Sequence, residues 1–283
     1  MASIVDIHPH VIATDNQRYP LDPLGGVQST WSRDRPTPYE TMVAAMDAAG
    51  VAKAALVQAS TAYGHDNSYV AAAIAAHPKR FTGVFSVDML APDAVEKMKH
   101  WIGLGFGGMR LFTTGSTMRG QANWFDDPRT FPAWEYAGKA GVPVCMQMTQ
   151  QGLPQLRGLM DRFPDVKMIL DHLARPQFVD GPPYGADAAF FDLARYSQVY
   201  LKLTPLNVTP AEWGKATPET FFGKLIQTFG ANRIAWGSNF PATDDTLAGI
   251  LGKAQSSLAF ASADERAWIF GKTAQTLYPR LAD

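Results

Sequence analysis

Eight short apolar runs, rich in β-branched or aromatic residues, recur at 3–7, 54–58, 82–87, 108–112, 142–148, 167–171, 199–203 and 233–237, with longer helical stretches between them. Strand-length runs alternating with helical segments predict a parallel sheet joined by crossover helices. The runs recur about every 33 residues, near the roughly 31 per unit of an eight-fold barrel. An open doubly wound sheet would carry a Gly-rich dinucleotide turn, and the sequence has none. The expected fold is α/β: one (β/α)8 TIM barrel over 1–283, with the active site at the C-terminal ends of the strands.

Helix ends are written into the intervening stretches. Thr37-Pro-Tyr-Glu40 reads as a capping box with Pro at the first helical position, and Gly50 closes that helix. Met42, Val43, Met46 and Ala49 then give it one apolar stripe. Thr217-Pro218 opens another helix that Gly230 ends, and Ser262 with Glu265 caps the last one. Segments 13–35 and 113–132 are rich in Pro, Gly and polar residues and read as long loops of the active face.

Composition narrows the function. With 46% hydrophobic and 18% charged residues, the chain has material for one large core and no disorder signature. A net charge of −1 argues against nucleic acid as a partner and leaves a small molecule. No apolar run could span a bilayer and the N-terminus does not read as a signal peptide, so a cytoplasmic enzyme is expected; the oligomeric state is open. Cys145, the only cysteine, reads as a small buried hydrophobe and excludes both an intrachain disulfide and thiolate zinc sites.

The candidate chemistry sits at the strand ends. His8 and His10 lie two apart after the first strand, so both point to one side, and His172 follows the sixth. Three such imidazoles can polarise a carbonyl, or hold one zinc ion with an open fourth position. Arg110 at the end of the fourth strand, with Arg175 and Lys202 near the sixth and seventh, suggests cationic clamps for an anionic substrate, although an internal salt bridge would also satisfy each of them. Gln58 and Gln147, on strands two and five, are good hydrogen-bond partners and poor metal ligands. His65, in the loop after strand two, is within reach of a substrate.

With Asp6-Ile-His-Pro-His10, Val57-Gln-Ala-Ser60, Gly64-His-Asp-Asn67, Gly108-Met-Arg110, Asp171-His-Leu-Ala-Arg-Pro176 and Trp236-Gly-Ser-Asn-Phe-Pro241 in order, almost the whole chain resembles the amidohydrolase superfamily. The likeness is to its amidohydrolase-2 branch and, within it, to the 2-pyrone-4,6-dicarboxylate lactonases and related lactone hydrolases. That resemblance implies hydrolysis without a metal, His8, His10 and His172 around a lactone carbonyl, Arg110 and Arg175 on substrate carboxylates, and a carboxylate at position 239 that activates water. Asn239 departs from the pattern, because an amide cannot accept a proton; it can still orient a water, with His172 or Asp244 as base. The leading expectation is a metal-independent lactonase of aromatic catabolism. A zinc-dependent decarboxylase or hydratase acting on an aromatic or muconate-like acid is the alternative, and a non-catalytic organic-acid-binding barrel the third.

Overall fold

The computed structural model describes residues 3–118, 120–177 and 179–282. Eight parallel strands, β1 (Val5–Asp6), β2 (Lys53–Val57), β3 (Phe81–Phe85), β4 (Phe106–Phe112), β5 (Val144–Gln147), β6 (Met168–Leu170), β7 (Val199–Leu203) and β8 (Ile234–Trp236), pair in sequential order. The Ile7 amide donates to the Trp236 carbonyl at 3.2 Å, joining the last strand to the first. The result is a nearly closed (β/α)8 barrel with helices alternating between the strands. Every expected run became a strand: β1, β5, β6 and β8 are shorter than the runs at both ends, β2 and β3 begin one residue earlier, β4 begins two residues earlier, and β7 matches its run.

The barrel interior is filled with modest side chains, among them Val5, Ile7, Ala55, Val57, Val84, Cys145, Ile169 and Ala235. Tyr278 and Leu281, after the C-terminal Thr273–Leu277 helix, pack into this layer. Gly108 makes room for the Tyr278 ring: a Cβ there would lie 2.7 Å from a ring carbon. A second, larger apolar layer lies between strands and helices, and the Tyr39–Ala49 helix buries Met42 and Met46 in it.

The capping signals divide. Thr217 accepts from the Thr220 amide and Ser262 from that of Glu265, so both of those boxes form, and Gly50 closes its helix with φ of 72°. Thr37 does not cap: the helix begins at Tyr39 after Pro38, and the Thr37 hydroxyl donates to the Arg35 carbonyl instead. Two prolines within three residues hold this entry extended and displace the helix start by one residue.

Candidate active site

At the C-terminal ends of the strands a cavity of about 190 Å³ is lined by His10, Arg110, Gln147, His172, Arg175 and Asn239, with Trp31, Phe112 and loop residues completing the wall. That is below the roughly 300–1,000 Å³ of pockets for drug-sized ligands, so it suits a small ring or acid. Among the described residues, two guanidinium groups and no carboxylate line it.

The floor is an ion cluster centred on Asp171, the residue that follows β6. Its carboxylate accepts from Arg110 Nε at 2.7 Å and pairs with Lys202 Nζ at 2.7 Å; all three side chains are buried. Burial pushes the Asp171 pKa up, but Lys202 and Arg110 outweigh it and hold the carboxyl well below the usual range. Arg110 Nη2 also donates to Gln147 Oε1, which fixes the plane of the guanidinium.

Backbone contacts fix the histidines. Asp6 Oδ1 accepts from the amides of His8 and Ser238, each at 2.9 Å, tying the end of β1 to that of β8. Gly237 allows this approach, since a Cβ there would fall 2.5 Å from His8 Cβ. His10 Nδ1 lies 2.8 Å from the Val57 carbonyl. A carbonyl only accepts, so Nδ1 carries the proton and Nε2 presents a lone pair. His172 Nδ1 lies 2.7 Å from Thr204 Oγ1, whose hydroxyl can in turn donate to Asn207 Oδ1 at 3.4 Å; in that chain Nε2 of His172 is again the free lone pair. Burial first, and then Arg110 for His10, lowers the pKa of both imidazoles to about 3, so both are neutral bases near pH 7.

His8 behaves differently. It is fully buried beneath the cavity, 4.9 Å between ring centroids from both His10 and His172, and neither ring nitrogen has a hydrogen-bond partner among the described residues. Its Nδ1 is 3.9 Å from Asp171 Oδ1. Burial, then Lys202, holds its pKa well below 6.5. Unpartnered buried nitrogens raise the question of a metal. Among the described residues, however, no three His, Cys, Asp or Glu side chains converge as a binding group, and two buried cations stand beside the imidazoles. As arranged, these side chains do not fit a zinc ion.

The turn bearing His172 is left-handed throughout: His172, Leu173, Ala174 and Arg175 have φ of 53°, 55°, 55° and 56°. Non-glycine residues in this region cost roughly 1–2 kcal/mol each, so the surroundings must impose the shape. Asn207 does so by donating from Nδ2 to the His172 carbonyl at 2.9 Å while its Oδ1 accepts from the Thr204 amide at 3.1 Å. Asn239, with φ of 54°, is held by the amide-to-hydroxyl bond from Nδ2 to Thr243 at 3.2 Å, and its Oδ1 is the free end.

Several sequence expectations are corrected. Lys202 is no substrate clamp: it is fully buried against Asp171 and 3.3 Å from Cys145 Sγ, outside the cavity wall. Gln58 braces the β2 loop, donating to the Gly64 and Asp66 carbonyls and accepting from Ser60. His65 pairs with Ser86 Oγ at 2.9 Å and lines a separate cavity beyond Phe112. Asp244 cannot serve as base, for its side chain is 83% exposed and pairs with Arg35 at 3.3 Å. Arg110 forms the internal salt bridge of its two expected readings, paired to Asp171, and also lines the cavity.

Three participants were missed. Asp171 and Asp6 stand inside the quoted motifs, beside the histidines, and an acid ending a strand was the available signal. Trp31 gave none: it sits on the short Thr30–Asp34 helix inside the expected loop, and its ring lies 5.1 Å from that of His10, tilted 31°.

The sequence profile of the amidohydrolase family matches residues 5–280. A curated relative, L-fucono-1,5-lactonase of Burkholderia ambifaria, is 29% identical over 171 residues, which cover 55% of this chain and 56% of the relative, so the match spans little more than half of either. Among solved structures, a Pseudomonas putida protein proposed to be a 2-pyrone-4,6-dicarboxylic acid hydrolase superposes with a TM-score of 0.80 at 20% identity over all of both chains. An amidohydrolase from Burkholderia multivorans with bound zinc gives 0.76 at 18% identity over 98% of this chain and 99% of its own. At these identities the two structures speak for the fold.

Proposed function

The chain belongs to the amidohydrolase family, and from that premise we propose that it is a hydrolase that opens a carboxylate-bearing lactone, or a similar activated ester from aromatic catabolism, without a metal. The observation that carries this reading is a small cavity walled by Arg110, Arg175 and two neutral imidazoles, with no carboxylate in its lining. Such a wall selects an anion and keeps two bases unprotonated. The likeness to a lactonase supports the reaction class.

In this mechanism the substrate carboxylate meets Arg175 at the cavity mouth, and the lactone carbonyl oxygen points at the Arg110 guanidinium, with His172 beside the ring. Asn239 Oδ1 accepts a hydrogen bond from the attacking water, and His10 Nε2 takes its proton. As the tetrahedral oxyanion forms, Arg110, already oriented by Asp171 and Gln147, stabilises it without reorganising. His10 then returns the proton to the departing ring oxygen, giving a hydroxy acid. His10 therefore replaces the carboxylate that position 239 lacks.

The test is a panel of lactones, with and without a ring carboxylate, assayed in excess chelator. Turnover of the acidic lactones is expected, with uncharged analogues at least tenfold poorer in kcat/KM. Activity that vanishes with chelator and returns with zinc would overturn the metal-free mechanism. His10→Gln should lower kcat by about 10²–10⁴, the usual weight of a general base. Asn239→Asp should leave kcat within about tenfold; a much larger gain would mean that His10 is not the base.

A further inference from the structure

The cavity does not end at Arg175. A groove of about 640 Å³ continues from it, sharing Ser116, His172, Arg175 and Leu206 with the cavity wall. Its own lining is mostly apolar: Pro176, Val179, Pro210 and Trp213, with Gly115 and the one polar side chain of Gln177. Val179, Leu206 and Trp213 are 59%, 48% and 56% exposed, three of the seven large hydrophobics exposed among the described residues, gathered in one place at the mouth of the site.

These residues are held in position by backbone contacts. The Lys215 amide donates to the Val179 carbonyl at 3.2 Å, joining the loop after β6 to the segment after β7. Gly214, with φ of 61°, permits the approach, because a Cβ there would lie 2.4 Å from the Val179 oxygen. Leu206 projects from the Pro205–Val208 helix, whose capping box on Thr204 and Asn207 also supports His172. One framework thus positions both an apolar wall and an imidazole of the cavity.

We propose that this groove is a substrate subsite, and that the natural substrate carries an apolar arm of several carbons, alkyl or aryl, extending from the ring past Arg175 onto Trp213, Leu206 and Val179. The proposal rests on the lactonase reading for the ring itself. Continuity with the cavity identifies the occupant: the groove shares His172, Arg175 and Leu206 with the cavity wall, so a group seated in it is reached directly from the reacting ring. A second copy of the chain is the competing occupant. Three exposed apolar side chains fall far short of the roughly 20–30 residues a side that a stable interface uses.

The experiment takes lactones of one ring and one carboxylate with n-alkyl arms of increasing length, and measures kcat/KM together with affinity for the ring-opened hydroxy acids by tryptophan fluorescence and calorimetry. Both quantities should rise by up to about fourfold per methylene over the first carbons and then level off, as expected for burial of CH₂ groups. Trp213→Ser should remove at least tenfold of the long-arm gain while leaving the unsubstituted lactone unchanged. Turnover that is flat or falling with arm length overturns the subsite while the lactonase reading stands. Hydroxy-acid affinity that rises with arm length, without turnover of any lactone, overturns the lactonase reading and supports the subsite. Neither turnover nor length-dependent binding counts against both. Self-association of the protein that Trp213→Ser abolishes gives the groove to a second copy and overturns the proposal.

Discussion

Asp171 shows how one residue links stability to chemistry. Its carboxylate compensates two buried cations, Arg110 and Lys202, at 2.7 Å each. Removing one member of a buried ion cluster leaves the rest unpaired, at a cost of about 3–5 kcal/mol. Asp171→Asn is therefore expected to lower the unfolding free energy from urea titration by an amount in that range and to reduce kcat, because Arg110 loses its orientation; a variant as stable as the parent would refute the role. The sequence carried the identity of this acid but not its partners. Arg110 and Lys202 lie 61 and 31 positions away along the chain, and only the side-by-side order of β4, β5, β6 and β7 in the barrel brings them together. Lys202 kept two readings open for the same reason: a lysine near a strand end can face the cavity or lie under its floor, and local sequence does not distinguish the two.

Among the elements, those with local determinants were legible and those held by distant contacts were not. The helix opened at Thr217-Pro218 as the sequence indicated, with Thr217 capping it, and because the Pro218–Phe229 helix contributes nothing to the cavity wall, Thr217→Ala should cost about 1 kcal/mol with kcat unchanged. A thermal melt and an assay of the same preparation check both halves. The left-handed turn at 172–175 had no such signature, having no glycine where φ is positive. Its shape comes from Asn207, 35 positions later, which accepts from the Thr204 amide and donates to the His172 carbonyl. Asn207→Ala leaves both backbone groups unpartnered, a loss of about 1–3 kcal/mol. If Asn207 acts by positioning His172, kcat should also fall, by up to about a hundredfold, with KM changing less; loss of stability with kcat intact would leave it a structural residue only.

At the scale of the whole molecule, the buried titratable groups set a pH dependence. His10 and His172, lowered to about 3, and His8, lowered well below 6.5, refuse protons that the unfolded chain takes up as pH falls through 6.5. Asp6, raised by burial to about 6, retains one proton that the unfolded chain releases above 3.8. Three groups against one leave the unfolded chain binding about two more protons between roughly pH 6 and 4, so stability falls on acidification by roughly 3 kcal/mol per pH unit. Urea midpoints at pH 7, 6 and 5 test this, and no decline between 7 and 5 would contradict it. Eight recurring apolar runs determined the barrel and the face that carries the site, because strand period and spacing are local properties of the chain. The motifs also supplied the histidines, Arg110 and Asn239. Only the tertiary structure decided which cations were neutralised by Asp171, which imidazole nitrogens kept a lone pair, that Trp31 joined the wall and that an apolar groove opened beside Arg175. Each of these depends on contacts between residues far apart in sequence, and such contacts exist only once the barrel has brought the strand ends together.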